Sequence, residues 1–197
     1  MNWKHPLFRA FFIWLMGMIG LIFLFSKDYY PLKTNRPPFQ STAQSTLYFK
    51  NLRSYFYFSY EDPASKFRVY RWKRWEDQWT TATPFVNWML VENWRNDEVY
   101  ALLKPNDQAI AQGYTVFISD FGNEQGADTL HLDEANSLEQ EALAEKVYAA
   151  LGSSEMPQFE LKSNMDPTSG IPLFRSEKDL KALQTLLEDY FKWTGKR

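Results

Sequence analysis

The hydrophobic pattern changes sharply at the N-terminal end of the chain, where residues 7–25 form one almost uninterrupted apolar run. Arg9 is the single charged residue among these 19 positions, and it lies near the start. A helix of this length extends for about 28 Å, close to the hydrocarbon thickness of a bilayer. Aromatic residues flank the run at Trp3 and Tyr29, where membrane interfaces favour them. The pattern therefore predicts a membrane anchor over residues 1–30 that contacts the bilayer through the apolar run.

Two other interpretations of this run are a cleaved signal peptide and a buried helix of a soluble domain. A signal peptide is disfavoured because the run is longer than a usual hydrophobic region and no small-x-small cleavage pattern follows it. Basic residues are nearly balanced on the two sides of the run, but a short charged N-terminus is hard to translocate. The sequence therefore favours a single-pass signal-anchor with a cytoplasmic N-terminus and an extracytoplasmic domain, periplasmic if the source is bacterial.

After the apolar run the pattern becomes that of a linker and then of a folded domain. Residues 31–45 contain three prolines and few apolar side chains, which is typical of an extended linker. Residues 46–197 form the domain, and its first part carries two aromatic-rich runs, 52–60 and 66–75. Turn-forming residues join these two runs, so the pair predicts a β-hairpin. Further short runs predict strands at 99–103, 114–119, 128–132 and 158–162.

Helical spacing and capping residues predict three helices in the domain. Thr83 and Pro84 can start the first, which would carry Phe85, Trp88 and Met89 on one face. The other two are bounded by Asn136 or Ser137 with Gly152, and by Ser176 with Gly195.

The order of these elements shows no regular alternation of strands and helices and no internal repeat. The predicted fold class is therefore α+β, with a single N-terminal transmembrane helix followed by a mainly antiparallel sheet that has two or three helices packed on it.

Composition narrows the range of functions. Aromatic residues make up 18% of the chain, so most of it can bury a large apolar area and fold. The chain has no cysteine, which excludes disulfides, thiolate metal sites and a cysteine nucleophile. The formal net charge of −2 argues against a general nucleic-acid binder. We therefore expect neither a nucleic-acid partner nor a bound cofactor.

One stretch of the domain carries residues suited to metal binding or acid–base chemistry. His131 is the only histidine outside the N-terminal tail, and Asp128 and Asp133 flank it. In a strand, His131 and Asp133 would point to the same face, so the three residues are weak candidates for a metal site. A metal site built on the pair of His131 and Asp133 would need a further ligand from elsewhere in the chain, and no serine lies in a nucleophile-elbow motif. The sequence therefore predicts solvated polar residues here and no enzymatic activity.

Tryptophan and arginine residues are the strongest candidates for a binding site. Five tryptophans lie between positions 72 and 94, and five cationic residues interleave with aromatic residues over 66–75. Surplus tryptophan and arginine are typical of protein interfaces. The plain alternative is an edge strand whose charges discourage pairing with another edge. The predicted partner-binding residues are Arg71, Trp72, Trp75, Trp88, Trp94 and Arg95.

The sequence as a whole favours a membrane-anchored, non-enzymatic protein whose domain contacts another protein. We expect that partner to be another membrane or envelope protein, with this chain as an accessory or assembly subunit of the complex. One alternative is an envelope carbohydrate-binding or lipid-binding protein that uses the same tryptophans and arginines. Another is a metal-dependent hydrolase centred on His131.

Overall fold

The computed structural model describes residues 14–18, 32–33, 37–62, 65–121, 127–152, 157–164, 168 and 170–197. The chain divides into two compact units, Met1–Tyr30 and Pro31–Arg197. In the first unit the described residues, 14–18, are helical.

The structure does not support the transmembrane anchor that the sequence predicts. Among the described residues, no helix combines the length and the apolar character needed to cross a bilayer. This finding overturns the predicted transmembrane helix and the single-pass membrane location that followed from it. Residues 7–13 and 19–25 of the predicted span lie outside the described part of the chain.

Eight strands and five α-helices are described in the second unit. The strands are β1 (Tyr57–Asp62), β2 (Phe67–Trp72), β3 (Val86–Asn93), β4 (Glu98–Pro105), β5 (Tyr114–Asp120), β6 (Ala127–His131), β7 (Gln158–Ser163) and β8 (Gly170–Leu173). The α-helices are α1 (Ala43–Tyr48), α2 (Glu76–Thr80), α3 (Asp107–Ala111), α4 (Ser137–Leu151) and α5 (Glu177–Trp193). A π-helical segment (Phe49–Arg53) and two 3₁₀ turns (Ser54–Phe56 and Lys73–Trp75) complete the regular structure described there.

The strands form two antiparallel four-stranded sheets, so the prediction of a single sheet is wrong while the α+β class is correct. Sheet A has the order β1-β2-β3-β4, and sheet B has the order β6-β5-β7-β8. Sheet A is a simple succession of neighbouring strands. In sheet B, β7 pairs with β5 and not with β6, which precedes it in the chain. The connection between β6 and β7 contains α4.

The segment after Pro84 is a strand and not the predicted helix. Residues 86–92 are all buried, so β3 is covered on both of its faces. A strand of this kind has a continuous apolar run, in which helical spacing of large residues arises by chance. Trp88 and Leu90, on the face toward the helices, are fully buried.

The two long helices agree with their capping signals. Asn136 caps α4, and its side chain and that of Glu139 form a reciprocal capping box. Ser176 caps α5 by accepting a hydrogen bond from the backbone N–H of Asp179. Helix α4 packs on β4 and on α5, while α5 packs on both β3 and β4. These contacts form the main core on one face of sheet A.

A buried charge network connects α5 to the segment that leads into β1. The carboxylate of Asp189 on α5 is 2% exposed. It accepts hydrogen bonds from Arg53 Nε at 2.7 Å and from the Tyr57 hydroxyl at 2.8 Å. Nearby, the Phe49 ring stacks on the Trp193 ring with centroids 3.8 Å apart. Because these contacts join both ends of residues 49–57 to α5, they fix the position at which β1 begins.

Candidate functional site

A group of exposed aromatic rings lines the start and the outer edge of β1. Tyr55 is 78% exposed, and Phe56, Phe58 and Tyr60 are each more than 40% exposed. Arg71, Trp72 and Lys73 come from β2 and the turn that follows it, next to these rings. We call the seven residues together the aromatic–cationic edge. A concentrated apolar surface of this kind on a folded domain commonly marks an interaction site.

Local sequence explains why these rings face solvent. Tyr57 points into the core and is 3% exposed. Because side chains alternate along a strand, Phe58 and Tyr60 point to the opposite face from Tyr57 and Ser59. Strand β1 pairs with β2 through all six of its residues. No other described strand pairs with its outer side. The aromatic side chains therefore lie beside an edge that is open over the described part of the fold.

Cationic groups lie directly against the exposed rings. Lys73 Nζ is 4.6 Å from the centre of the Tyr55 ring and 5.5 Å from that of Phe58. The same ammonium donates a hydrogen bond of 2.5 Å to the Tyr55 carbonyl. The Arg71 guanidinium lies 4.8 Å from the Tyr60 ring centre and donates to the Tyr60 hydroxyl at 2.9 Å. These contacts hold long side chains in place, which reduces the conformational entropy that binding would otherwise cost.

The charge of the edge is unevenly distributed along β1. Near the start of the strand, Lys73 forms no ion pair with any carboxylate of the described residues. At the other end, Glu61 and Asp62 provide two carboxylates. Glu61 forms an ion pair with Arg68 on the face toward the helices. Arg68 donates a hydrogen bond to Glu61 in this pair, and that bond is the main reason why the pKa of Arg68 is raised. The cation Lys73 therefore lies near the start of β1, and the carboxylates of Glu61 and Asp62 lie at its other end, with Glu61 already paired with Arg68.

Two cavities adjoin the aromatic–cationic edge. One of about 340 Å³ is lined by Tyr55, Phe56, Trp72, Lys73 and Arg74. The other, of about 430 Å³, lies on the other side of β1 and leads to Tyr70, whose hydroxyl donates to the buried carboxylate of Glu92 at 3.0 Å. Burial, followed by the charge of Glu92, raises the pKa of Tyr70. The first cavity can receive an apolar side chain of a binding partner.

The structure separates the six residues that the sequence nominates for partner binding. Arg71 and Trp72 belong to the aromatic–cationic edge. Trp75 is 1% exposed and Trp88 is fully buried, so neither side chain is available to a partner in this fold. Trp94 and Arg95 are exposed at the tip of the β3–β4 hairpin. The register between β2 and β3 places Trp88 opposite Trp72. Trp94 follows Trp88 by six residues, so it lies roughly 20 Å farther along the sheet.

The tip that carries Trp94 and Arg95 is held by the segment before α1. Asp97 adopts a left-handed backbone conformation with φ of 53°, and its carbonyl accepts hydrogen bonds from the Ser41 backbone and hydroxyl. The Arg95 guanidinium lies 5.8 Å from the Trp94 ring centre. The tip is thus a small second patch, separate from the aromatic–cationic edge.

The weak metal candidates do not converge. Strand β6 ends at His131, and Asp133 lies in the turn that follows, so the two are not alternate residues of one strand. Asp128 lies three residues before His131 and forms an ion pair of 2.7 Å with Lys146 on α4. Across the described residues, no group of three or more histidine, cysteine, aspartate or glutamate side chains could hold a metal ion. A cavity of about 470 Å³ next to His131 is lined by Asp128, Glu134, Glu139 and Lys146, among others.

Five residues of the aromatic–cationic edge are not among those that the sequence predicts for partner binding. One is Lys73, and the other four are aromatic: Tyr55, Phe56, Phe58 and Tyr60. A signal for them was present, because the run 52–60 carries aromatic residues at both odd and even positions. A strand with one solvated face buries only alternate residues, so a run of this kind must either be buried on both faces or expose some of its rings.

The chain matches no protein-family model, and no curated protein or solved structure is significantly similar to it.

Proposed function

We propose that this chain is a non-enzymatic protein-binding domain, an accessory or assembly subunit of a larger complex, and that the aromatic–cationic edge is its contact surface. The observation that carries the proposal is the set of four aromatic side chains exposed just before and along β1, whose outer side pairs with no other described strand. Leaving these rings in water forgoes about 1.5–3 kcal/mol of burial free energy for each large apolar side chain. A protein partner that covers them recovers part of that free energy.

Aromatic rings with adjacent cations favour a protein partner over other classes. Tyrosine, tryptophan and arginine are the residues in which interface binding energy concentrates. Large rings with few rotatable bonds provide contact area at a low entropic cost. The Lys73 ammonium lies over Tyr55 and Phe58. It can therefore form an ion pair with a carboxylate of a partner that covers these rings. We therefore expect the partner to present apolar side chains together with acidic ones.

Nucleic acid is a weaker candidate for this surface. Two of the nearby cations are already paired with carboxylates, Arg53 with Asp189 and Arg74 with Asp179. Single-strand binders combine stacking rings with a cationic groove that follows several phosphates. The chain as a whole is also slightly acidic, with a formal net charge of −2.

Photo-crosslinking at Phe58 tests this proposal in the cells that produce the chain. With p-benzoylphenylalanine in place of Phe58, irradiation should yield an adduct with one defined protein, because this ring lies inside the proposed contact. Leu138 is the matched control, since it is 58% exposed but lies on α4, away from the edge. The measurement is the mass and sequence of the adducts from both positions.

A defined adduct at position 58 that is absent at position 138 supports the proposal. Single substitutions Tyr55→Ala and Phe58→Ala should then weaken binding of the identified protein about 30-fold each, as expected for an interface hot spot of about 2 kcal/mol. Irradiation without a defined adduct at position 58, or equal adducts at both positions, would contradict it.

A further inference from the structure

The four outer strands of the two sheets differ in how their edges are protected. Protein sheets usually protect an edge with short strands, proline, lysine, bulges or a covering segment. Strand β4 is covered near its start, where the Val99 N–H donates to the Phe39 carbonyl and Gln40 forms a bridge with Glu98. Strand β8 has four residues and contains Pro172, and β6 has five residues.

Among the described residues, the only one of the usual edge protections that β1 has is its charged side chains, Glu61 and Asp62, at one end. Its six residues contain neither proline nor lysine, and their register with β2 is continuous. Ser59, Tyr60 and Glu61 are all exposed in the middle of the strand. The default behaviour of such an edge is to pair with another extended segment, because that satisfies its outward backbone groups.

Two of the charges on one face of β1, those of Asp62 and Lys73, are complementary to each other under an antiparallel pairing. Phe58, Tyr60 and Asp62 alternate onto the same face of the strand. The Lys73 ammonium lies on this face too, beside Phe58 and Tyr55. A two-fold axis reverses the direction of the second strand, so the acidic end of one copy would meet the cationic end of the other. Self-complementarity of this kind is the requirement for a two-fold symmetric interface.

We propose that the partner at this surface is a second copy of the chain, bound by antiparallel pairing of β1 with β1; this inference rests on the proposed function of the aromatic–cationic edge. With Ser59 on the two-fold axis, Phe58 lies opposite the partner's Tyr60, and Tyr60 lies opposite the partner's Phe58. The partner's Asp62 comes opposite position 56, next to Lys73. The two copies of sheet A then join into one continuous sheet, with an aromatic pair and an ion pair on each side of the axis.

A charge exchange between two variants tests this geometry. Lys73→Asp alone would place two carboxylates together on each side of the axis, and Asp62→Lys alone would place two ammonium groups together. Each variant should therefore self-associate about tenfold more weakly than the unmodified chain or worse, since exposed ion pairs of modest energy become repulsions at two places. An equal mixture of the two variants should associate as well as the unmodified chain, because both pairs are then of opposite charge. Sedimentation equilibrium of the full chain over a wide range of concentration measures all of these affinities.

Two further variants keep the experiment decisive. Lys178→Asp makes the same charge change at an exposed site on α5 and should leave self-association unchanged. Asp62 also accepts a hydrogen bond from Ser65 in the β1–β2 turn, so Asp62→Lys could disturb folding. Phe58→Glu does not involve that turn and should abolish self-association by placing a carboxylate in the aromatic pair.

The outcomes separate this inference from the proposed function. Rescue of association in the mixture supports the β1–β1 pairing. A chain that stays monomeric throughout, or a dimer that is unchanged by the single variants or not restored by mixing them, overturns the inference. If the chain is monomeric but Phe58 crosslinks to a different protein, the proposed function stands and only the second copy as partner is excluded. Absence of both dimer and adduct contradicts both proposals.

Discussion

Replacing Asp189 by alanine should lower the free energy of unfolding by about 3 kcal/mol, the range expected when one member of a buried ion pair is removed. The carboxylate is 2% exposed and accepts hydrogen bonds from Arg53 and from Tyr57. Its loss would leave a buried tyrosine hydroxyl without an acceptor and an arginine, 21% exposed in its side chain, without its counter-charge. Chemical denaturation of the variant and the unmodified chain measures the difference.

The burial of Asp189, more than its charge, explains the size of this effect. Desolvation raises the pKa of the carboxyl group, and the hydrogen bond and charge of Arg53 act in the opposite direction. An ion pair that must compensate for desolvation in this way contributes little by itself, but removing one half leaves the other half uncompensated.

Asp128→Ala is the matched control for this prediction. Asp128 also forms an ion pair of 2.7 Å, with Lys146, but the side chains are 33% and 54% exposed. Its removal should change stability by less than about 1 kcal/mol, as is usual for solvated pairs. If both substitutions cost the same, burial does not make the loss of Asp189 more destabilising than the loss of a solvated partner, and the prediction is wrong. The Asp189 variant should also weaken any binding at the aromatic–cationic edge, because Arg53 and Tyr57 position the start of β1.

Local signals in the sequence were sufficient for some elements of the fold. Helices α4 and α5 begin at their predicted caps, Asn136 and Ser176, since a side-chain cap acts on residues only two or three positions away. The β1–β2 hairpin was also predicted, because its turn residues and strands are adjacent in the chain. In these elements the residues that decide the structure are neighbours in sequence.

Other features depend on contacts between distant residues and could not be predicted. Whether strands form one sheet or two depends on which edges meet, and no local pattern specifies that β7 pairs with β5 across α4. The sequence predicts a helix in place of β3 because burial on both faces removes the alternation that identifies a strand. That burial results from packing against α5 on one side and from the neighbouring side chains of sheet A on the other.

The candidate site was predicted in part for the same reason. Arg71 and Trp72 were nominated because cations and aromatic residues alternate locally over 66–75. Trp75 carries the same local signal and Trp88 belongs to the surplus of tryptophans, but both lie in the core. The exposure of Phe58 and Tyr60 arises because β1 is the outermost strand of sheet A, which is a property of the whole topology. Residue type therefore indicated the chemistry of the surface, while strand order determined which residues form it.

Three buried tyrosines make the domain sensitive to alkaline pH. The hydroxyls of Tyr57, Tyr70 and Tyr190 donate to the buried carboxylates of Asp189, Glu92 and Glu141 at 2.8, 3.0 and 3.0 Å. In each case burial is the largest cause of a raised pKa, and the adjacent carboxylate adds to it. Ionisation in the folded state would place two negative charges together in the core.

Stability should therefore fall steeply as the pH rises above about 10, the ordinary pKa of tyrosine in an unfolded chain. Below that pH both states are protonated, and the contribution of these groups is constant. Above it the unfolded chain releases its phenolic protons while the folded chain keeps them, so the free energy of unfolding declines with pH. The slope from three tyrosines reaches about 4 kcal/mol per pH unit, since each contributes up to about 1.4.

The measurement is the tyrosinate absorbance and the circular dichroism of one sample through the alkaline range. We expect the absorbance of the last tyrosines to rise together with the loss of circular dichroism, because these groups ionise only when the domain unfolds. Tyr70→Phe should reduce the slope of stability against pH by about one third, since one of the three linked protons is gone. If all tyrosines ionise while the circular dichroism is unchanged, the three hydroxyl–carboxylate pairs are not closed to solvent. The network that fixes the start of β1 would then be looser than its distances indicate.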